Sequence, residues 1–145
     1  MQEAVKLGPE KASAYNNLAL SQFENEEFEE SILNYGKAID KDSSSVHYNN
    51  RGLAFYHSGG LEAAKIDFDM AREKDPNDPT IYFNRGNVFL NWEPHPQFEL
   101  AHKDYDTALS IAPNNAKLWH SKGLAYQGQA EFIFQTENKK EDELN

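Results

Sequence analysis

The sequence predicts an all-α solenoid of antiparallel helix pairs, and two repeating registers point to it. In the first, the aromatics Tyr15, Tyr48, Tyr82 and Trp119 recur at intervals of 33, 34 and 37 residues. Each is followed four positions later by a small residue, Ala19, Gly52, Gly86 or Gly123. In the second register, Tyr35, Phe68 and Tyr105 are followed three residues on by Ala38, Ala71 and Ala108, and five residues after each alanine come Ser43, Pro76 and Pro113. A third observation assigns the secondary structure. Tyr48, Gly52, Phe55 and Tyr56 recur at three- and four-residue steps, as do Leu61, Ala64, Phe68 and Ala71, which is the spacing of one helix face. One such pair cannot bury its apolar face alone, whereas about three stacked copies can.

Taken in chain order, residues 1–11 read as the end of a preceding repeat, because Ala4 and Pro9 each stand 34 residues before Ala38 and Ser43. An array that starts mid-repeat leaves an apolar face uncovered, so the chain is expected to be a piece of a longer array. Residues 12–44 form the first repeat, with Tyr15, Leu18, Ala19, Tyr35 and Ala38 in register and Gln22, Ser31 and Ser43 departing from it. Residues 45–78 form the second. Gly59-Gly60 separates its helices, and Asp75-Pro76 closes it because proline disfavours helix in the residue before it.

Residues 79–115 form the third repeat, whose inter-helix turn, residues 91–97, is lengthened by three residues and carries Trp92, Pro94 and Pro96. The prolines stiffen this turn. Trp92 is expected to fold back over the neighbouring repeat; the alternative is an anchor for a partner, since Trp is enriched at interaction hot spots. Residues 116–138 supply the first helix of a fourth repeat through Trp119, Gly123 and Tyr126, and then a divergent capping helix over 129–138. The pattern fails there because the expected Ala, aromatic and Ala fall on Gln135, Lys139 and Asp142. Residues 139–145 read as a frayed tail.

These residues resemble the tetratricopeptide repeat (TPR) family, whose signature is an aromatic, a Leu-Gly step and a Tyr in the first helix, then Ala, Phe, Ala and Pro in the second. The second repeat matches best, with Tyr48, Gly52, Phe55, Ala64, Phe68, Ala71 and Pro76, although Arg51 stands where Leu is usual. The resemblance implies a right-handed superhelix whose first helices line a concave groove while the second helices form most of the outside.

Composition narrows the function. The chain has 145 residues, no cysteine and a formal net charge of −10, so disulfide scaffolds and Cys-based metal or nucleophile chemistry are excluded. Non-specific nucleic-acid binding is disfavoured, since it needs a basic stripe. No run reaches the ~18–20 apolar residues of a membrane span and no signal segment is evident, so an intracellular, cytoplasmic location is expected. The acidity is concentrated in Glu24, Glu26, Glu27, Glu29 and Glu30 and in the last fifteen residues, which leaves the body close to neutral. No phosphate loop surrounds Gly59-Gly60, and the five histidines never pair at the i, i+4 spacing of a helical metal site. They read as surface or groove residues. No cofactor, metal or catalytic constellation is expected.

The expected function is therefore protein–protein interaction. In the frame the resemblance supplies, Asn17, Asn50 and Asn84, with Ser121 in the fourth repeat, form a ladder along the groove. Each amide offers both donor and acceptor to the backbone of an extended segment. Asn16, Asn49, Phe83 and His120 precede the ladder; Leu20, Leu53, Asn87 and Leu124 lie one turn on, and Tyr56 follows on the second repeat. The family's carboxylate clamp, which grips acidic chaperone C-termini, would fall on Asn16, Leu20, Asn50, Thr80 and Asn84, or one repeat later on Asn49, Leu53, Asn84, Lys117 and Ser121. Only Lys117 supplies a cation, so a neutral-to-apolar segment is expected rather than an acidic C-terminus. Arg51 and Arg85 are expected to cover neighbouring helices with their stems and to pair locally. The alternatives are a structural spacer acting through convex faces, or the substrate-recruiting arm of an enzyme whose catalytic domain lies elsewhere. Self-association could run through exposed repeat ends.

Overall fold

The computed structural model describes residues 9–144, and every regular element among them is a helix: α1 (Pro9–Glu24), α2 (Phe28–Lys41), α3 (Ser45–His57), α4 (Leu61–Lys74), α5 (Pro79–Leu90), α6 (Phe98–Ile111) and α7 (Ala116–Leu144). Three hairpins, α1/α2, α3/α4 and α5/α6, stack through the α2–α3 and α4–α5 contacts, and α7 closes the stack against α6. Local chemistry sets the boundaries. Ser44 caps α3 by accepting from the His47 amide, and Asp78 caps α5 by accepting from the Thr80 amide just ahead of Pro79. Gly59 takes the left-handed φ of 87° that turns the chain between α3 and α4.

The recurring small residues are the places where two helices meet most closely. A Cβ on Gly52 would lie 2.8 Å from the Phe68 ring, and one on Gly86 would lie 2.9 Å from the Tyr105 ring. Phe68 and Tyr105 are fully buried, as are Ala64, Ala71, Ala101 and Ala108 around them. Each aromatic of this kind contributes roughly 1.5–3 kcal/mol by leaving water. Burial pushes the Tyr105 phenol above its ordinary range, and the equivalent Tyr35 up to about 12, a rise that the Ser31 hydrogen bond opposes and Glu24 augments.

Beside each aromatic lies an ion pair. Arg51 on α3 grips Asp67 on α4 through Nε and Nη2 at 2.7 and 2.8 Å, and Arg85 on α5 grips Asp104 on α6 at 2.8 and 2.6 Å. These are the local pairings expected of the two arginines. The first repeat replaces the ion pair with amides: Asn34 donates to Gln22 at 2.8 Å, and Ser31, standing where the other repeats have Ala, donates to the Ala19 carbonyl at 2.8 Å. Two of its departures from the pattern, Gln22 and Ser31, are thus each matched by a hydrogen bond within the repeat.

The structure differs from the sequence reading in three places. Helix α1 begins at Pro9, inside the segment assigned to a preceding repeat; proline is well suited to a first helical position, and the proposed closing turns at 1–8 lie outside the described residues. Helix α7 runs unbroken over 29 residues, where a separate cap at 129–138 and a frayed tail from 139 were expected. Gly128 lacks the turn partners that end α1, α3 and α5, and a lone helical glycine costs only about 1 kcal/mol. His47, grouped with the surface or groove histidines, is buried at 7% exposure with Nδ1 2.8 Å from the Asp42 carbonyl oxygen. Among the described residues, no helix is long and apolar enough to cross a membrane.

Candidate functional site

The first helices approach one another along the array, α1 with α3 and α3 with α5. The row they form is the candidate groove. Asn16, Asn17 and Leu20 stand on α1, Asn49, Asn50, Leu53 and Tyr56 on α3, Phe83, Asn84 and Asn87 on α5, and His120 and Ser121 on α7.

The structure brings the asparagines together in pairs that the sequence reading did not foresee. Asn50 Nδ2 donates to Asn16 Oδ1 at 3.2 Å, and Asn84 Nδ2 donates to Asn49 Oδ1 at 3.0 Å. These two rungs, Asn50 and Asn84, therefore each bind the preceding repeat. A carboxamide has two N–H donors and a carbonyl with two lone pairs, so pairing leaves part of that capacity. Exposure then separates the rungs: Asn84 is only 6% exposed, Asn50 is half-buried and Asn17 is exposed. Asn84 acts first as a joint between repeats, and Asn17 is the rung most open to a ligand.

The apolar members divide in the same way. Leu20 is 42% exposed, whereas Leu53 and Tyr56 are half-buried against the cluster around Ala64, Phe68 and Val88. The Tyr56 hydroxyl accepts from Asn91 Nδ2 at 2.8 Å; burial pushes this phenol up while that bond draws it down. Asn87 accepts the Tyr105 hydroxyl at 2.5 Å. Phe83 is half-buried, and the Lys117 ammonium sits 4.9 Å above its ring. His120 is exposed and Ser121 half-buried. Trp92 packs, half-buried, on the Phe68 cluster, with its ring 6.4 Å from that of Phe89.

One part of the face was only partly foreseen: Leu124 was placed on it, but not the cavity it helps to line. Leu90 of α5, Pro96 of the long turn, Phe98 at the start of α6, and Leu124, Gly128, Glu131 and Phe132 of α7 line a cavity of about 310 Å³. The Phe98 and Phe132 rings lie 5.7 Å apart across it. Only an unbroken α7 carries Glu131 and Phe132 to the long third-repeat turn, so a reading that broke the helix at 128 separated them. Among the described residues, no group of three or more His, Cys, Asp or Glu could hold a metal ion.

Stacked helical hairpins closed by a final helix define a helical-repeat solenoid, and comparison with known proteins makes the class specific. No family model matches the chain. Over 117 residues, 80% of the chain, it is 29% identical to the small glutamine-rich tetratricopeptide repeat-containing protein 2 of Mycosarcoma maydis, and it spans 31% of that relative's length. The first TPR domain of human RPAP3 superposes with a TM-score of 0.79 at 25% identity, covering 86% of this chain and 96% of that one. The first TPR of Spaghetti (RPAP3), solved bound to the HSP90 peptide SRMEEVD, gives 0.78 at 23% identity over 88% and 99%. The chain has the helical-repeat solenoid fold of these tetratricopeptide repeat domains. The expectation of a neutral-to-apolar ligand rather than an acidic C-terminus finds no support in these relatives, since the Spaghetti domain holds an acidic peptide.

Proposed function

We propose that the concave face receives an extended segment of a partner protein, without catalysis. The observation that carries this reading is the coexistence, along one row of helices, of open amide and apolar groups beside others locked into the fold. Asn17, Leu20, His120 and Leu124 are exposed, while the paired asparagines beneath them hold the row rigid. A rigid row loses little entropy on binding. The third-repeat cavity, with Leu90 and Leu124 on its wall, takes an apolar side chain of the segment.

The chemistry of the segment follows from the cations. The positions where an acidic C-terminus would be gripped are Asn16, Leu20, Asn50, Thr80 and Asn84, or one repeat later Asn49, Leu53, Asn84, Lys117 and Ser121; the one cation among them, Lys117, has its ammonium over Phe83. This supports a neutral-to-apolar segment, against the precedent of the relatives.

The test is peptide-library selection on the full chain, followed by fluorescence anisotropy with the selected peptides and with SRMEEVD. Substitutions are made where the fold does not depend on them: Asn17→Ala, Leu20→Ser and His120→Ala together. Affinity for selected peptides should fall by ~10-fold or more, about 1.4 kcal/mol. Unchanged affinity would remove the groove reading, and tight binding of SRMEEVD would remove the charge reading alone.

A further inference from the structure

Helix α7 carries, on a face away from the groove, an incomplete copy of the joint that α5 makes with α6. In the third repeat, Arg85 is held by two carboxylates, Asp69 of the preceding repeat at 2.5 Å and Asp104 of its own second helix. Next to it, Gly86 receives the Tyr105 ring. In α7 the corresponding residues are Lys122 and Gly123. Lys122 pairs with Asp106 of the preceding repeat, the counterpart of Asp69, and no second carboxylate faces it among its ion pairs. Gly123 has nothing within 4 Å of where its Cβ would be. Around this socket Trp119 is 55% and Tyr126 51% exposed.

The second and third repeats show what fills such a socket. In both, the occupant is a helix with an aromatic directly after an aspartate and alanines on either side: Ala64, Asp67, Phe68 and Ala71, or Ala101, Asp104, Tyr105 and Ala108. The aromatic enters above the glycine, the aspartate meets the cation one residue earlier, and the alanines let the backbones close. Both helices are already used within their own repeats. The later half of α7 offers Ala130 and Phe134 at the right mutual spacing, but Ile133 stands where the aspartate belongs. A second copy of α7 would therefore place a branched apolar group against the Lys122 ammonium.

We propose that this face of α7 docks a helix of a partner protein bearing an Asp-aromatic step flanked by alanines, Ala-x-x-Asp-(Phe/Tyr)-x-x-Ala. The charge on Lys122 selects the aspartate and the open Gly123 position selects the ring. The two are adjacent, so they read one helix in one register.

The probe is a labelled peptide with the α6 sequence, Phe98–Ile111, titrated into the full chain by anisotropy. Saturable binding is expected, weakened ~10-fold or more when the peptide's Tyr105→Ala change removes the ring, and less by Asp104→Asn. In the protein, Gly123→Leu fills the socket while replacing a glycine inside a helix with a better helix former. It should abolish binding with helicity unchanged, and groove peptides should bind that variant as before. Three results would overturn the proposal. They are no saturable binding, binding that survives both Gly123→Leu and Tyr105→Ala, and a dimer in light scattering that Gly123→Leu dissociates, which would make a second copy the occupant.

Discussion

Arg51 and Arg85 occupy the same place in consecutive repeats and grip equivalent aspartates, Asp67 and Asp104, with nearly the same geometry. What differs lies one repeat upstream. Asp69 reaches across to Arg85 at 2.5 Å, whereas the equivalent position facing Arg51 is Gly36, whose Cβ would stand 3.7 Å from the guanidinium. Arg85 thus joins three helices and Arg51 two, and their side chains are 11% and 26% exposed. Both guanidinium groups are held above their ordinary value. For Arg51 the Asp67 hydrogen bond leads; for Arg85 burial opposes the rise, and Asp104 and Asp69 together overcome it. In a solenoid the energy within a repeat and the energy between repeats are separate quantities. Here a single residue of the upstream helix decides whether the arginine contributes to the second.

The largest expected effect comes from removing the cation. Arg85→Met strands Asp104, which is 4% exposed, and takes one partner from Asp69, which keeps Lys65 at 2.9 Å; breaking a buried pair in this way costs about 3–5 kcal/mol. Arg51→Met strands Asp67 alone and should cost about 1 kcal/mol less. Urea unfolding of the two variants measures the gap. Equal losses would show that Asp69 adds nothing to the joint.

A smaller effect sharpens the comparison from the other side. Gly36→Asp supplies the carboxylate that the first joint lacks and removes a glycine from a helix interior. The expected gain is about 0.5–1.5 kcal/mol, part from helix propensity and part from the new pair. In an Arg51→Met background only the propensity part should remain, so a double-mutant cycle isolates the pair. A gain of the same size in both backgrounds would mean that the aspartate never meets Arg51.

The two joints also show which features were legible in the sequence. The aromatic–small register was readable because it records a contact: Gly52 against Phe68 and Gly86 against Tyr105 must keep their spacing for the helices to close. That the arginines pair locally could be argued from their place among apolar neighbours. Their partners were not read, because Asp67 and Asp104 lie 16 and 19 residues away, and although both directly precede the register aromatic, Asp69 and Asp106 directly follow it just as regularly, so spacing alone does not choose between them. The asparagine ladder was found as a row, but its pairing was not. Whether an amide turns to a ligand or to Asn16 depends on side-chain geometry that spacing does not encode. The continuity of α7 was missed for a related reason: the repeat pattern stops in its second half, yet a helix needs only the absence of a stop signal to continue.

The smallest effect separates the joints by pH. Asp69 is lowered below its ordinary 3.8; burial pushes it up, but the hydrogen bonds from Lys65 and Arg85 and their charges outweigh burial. As the pH falls, the unfolded chain therefore takes up this proton before the folded one does. The stability Asp69 confers is complete above its unfolded value and is lost as the pH drops below it through the depressed folded value. Since Asp69 is partly exposed, the loss is of the order of 1 kcal/mol or less. Asp69→Asn should lower stability at pH 7 and reduce the slope of stability against pH between about 5 and 3. The joint at Arg51 has no counterpart to titrate, so Gly36→Asp should add a slope of the same sign. Thermal unfolding across that range, for wild type and both variants, gives the comparison. An unchanged slope in Asp69→Asn would show that the cross-repeat carboxylate matters for geometry alone.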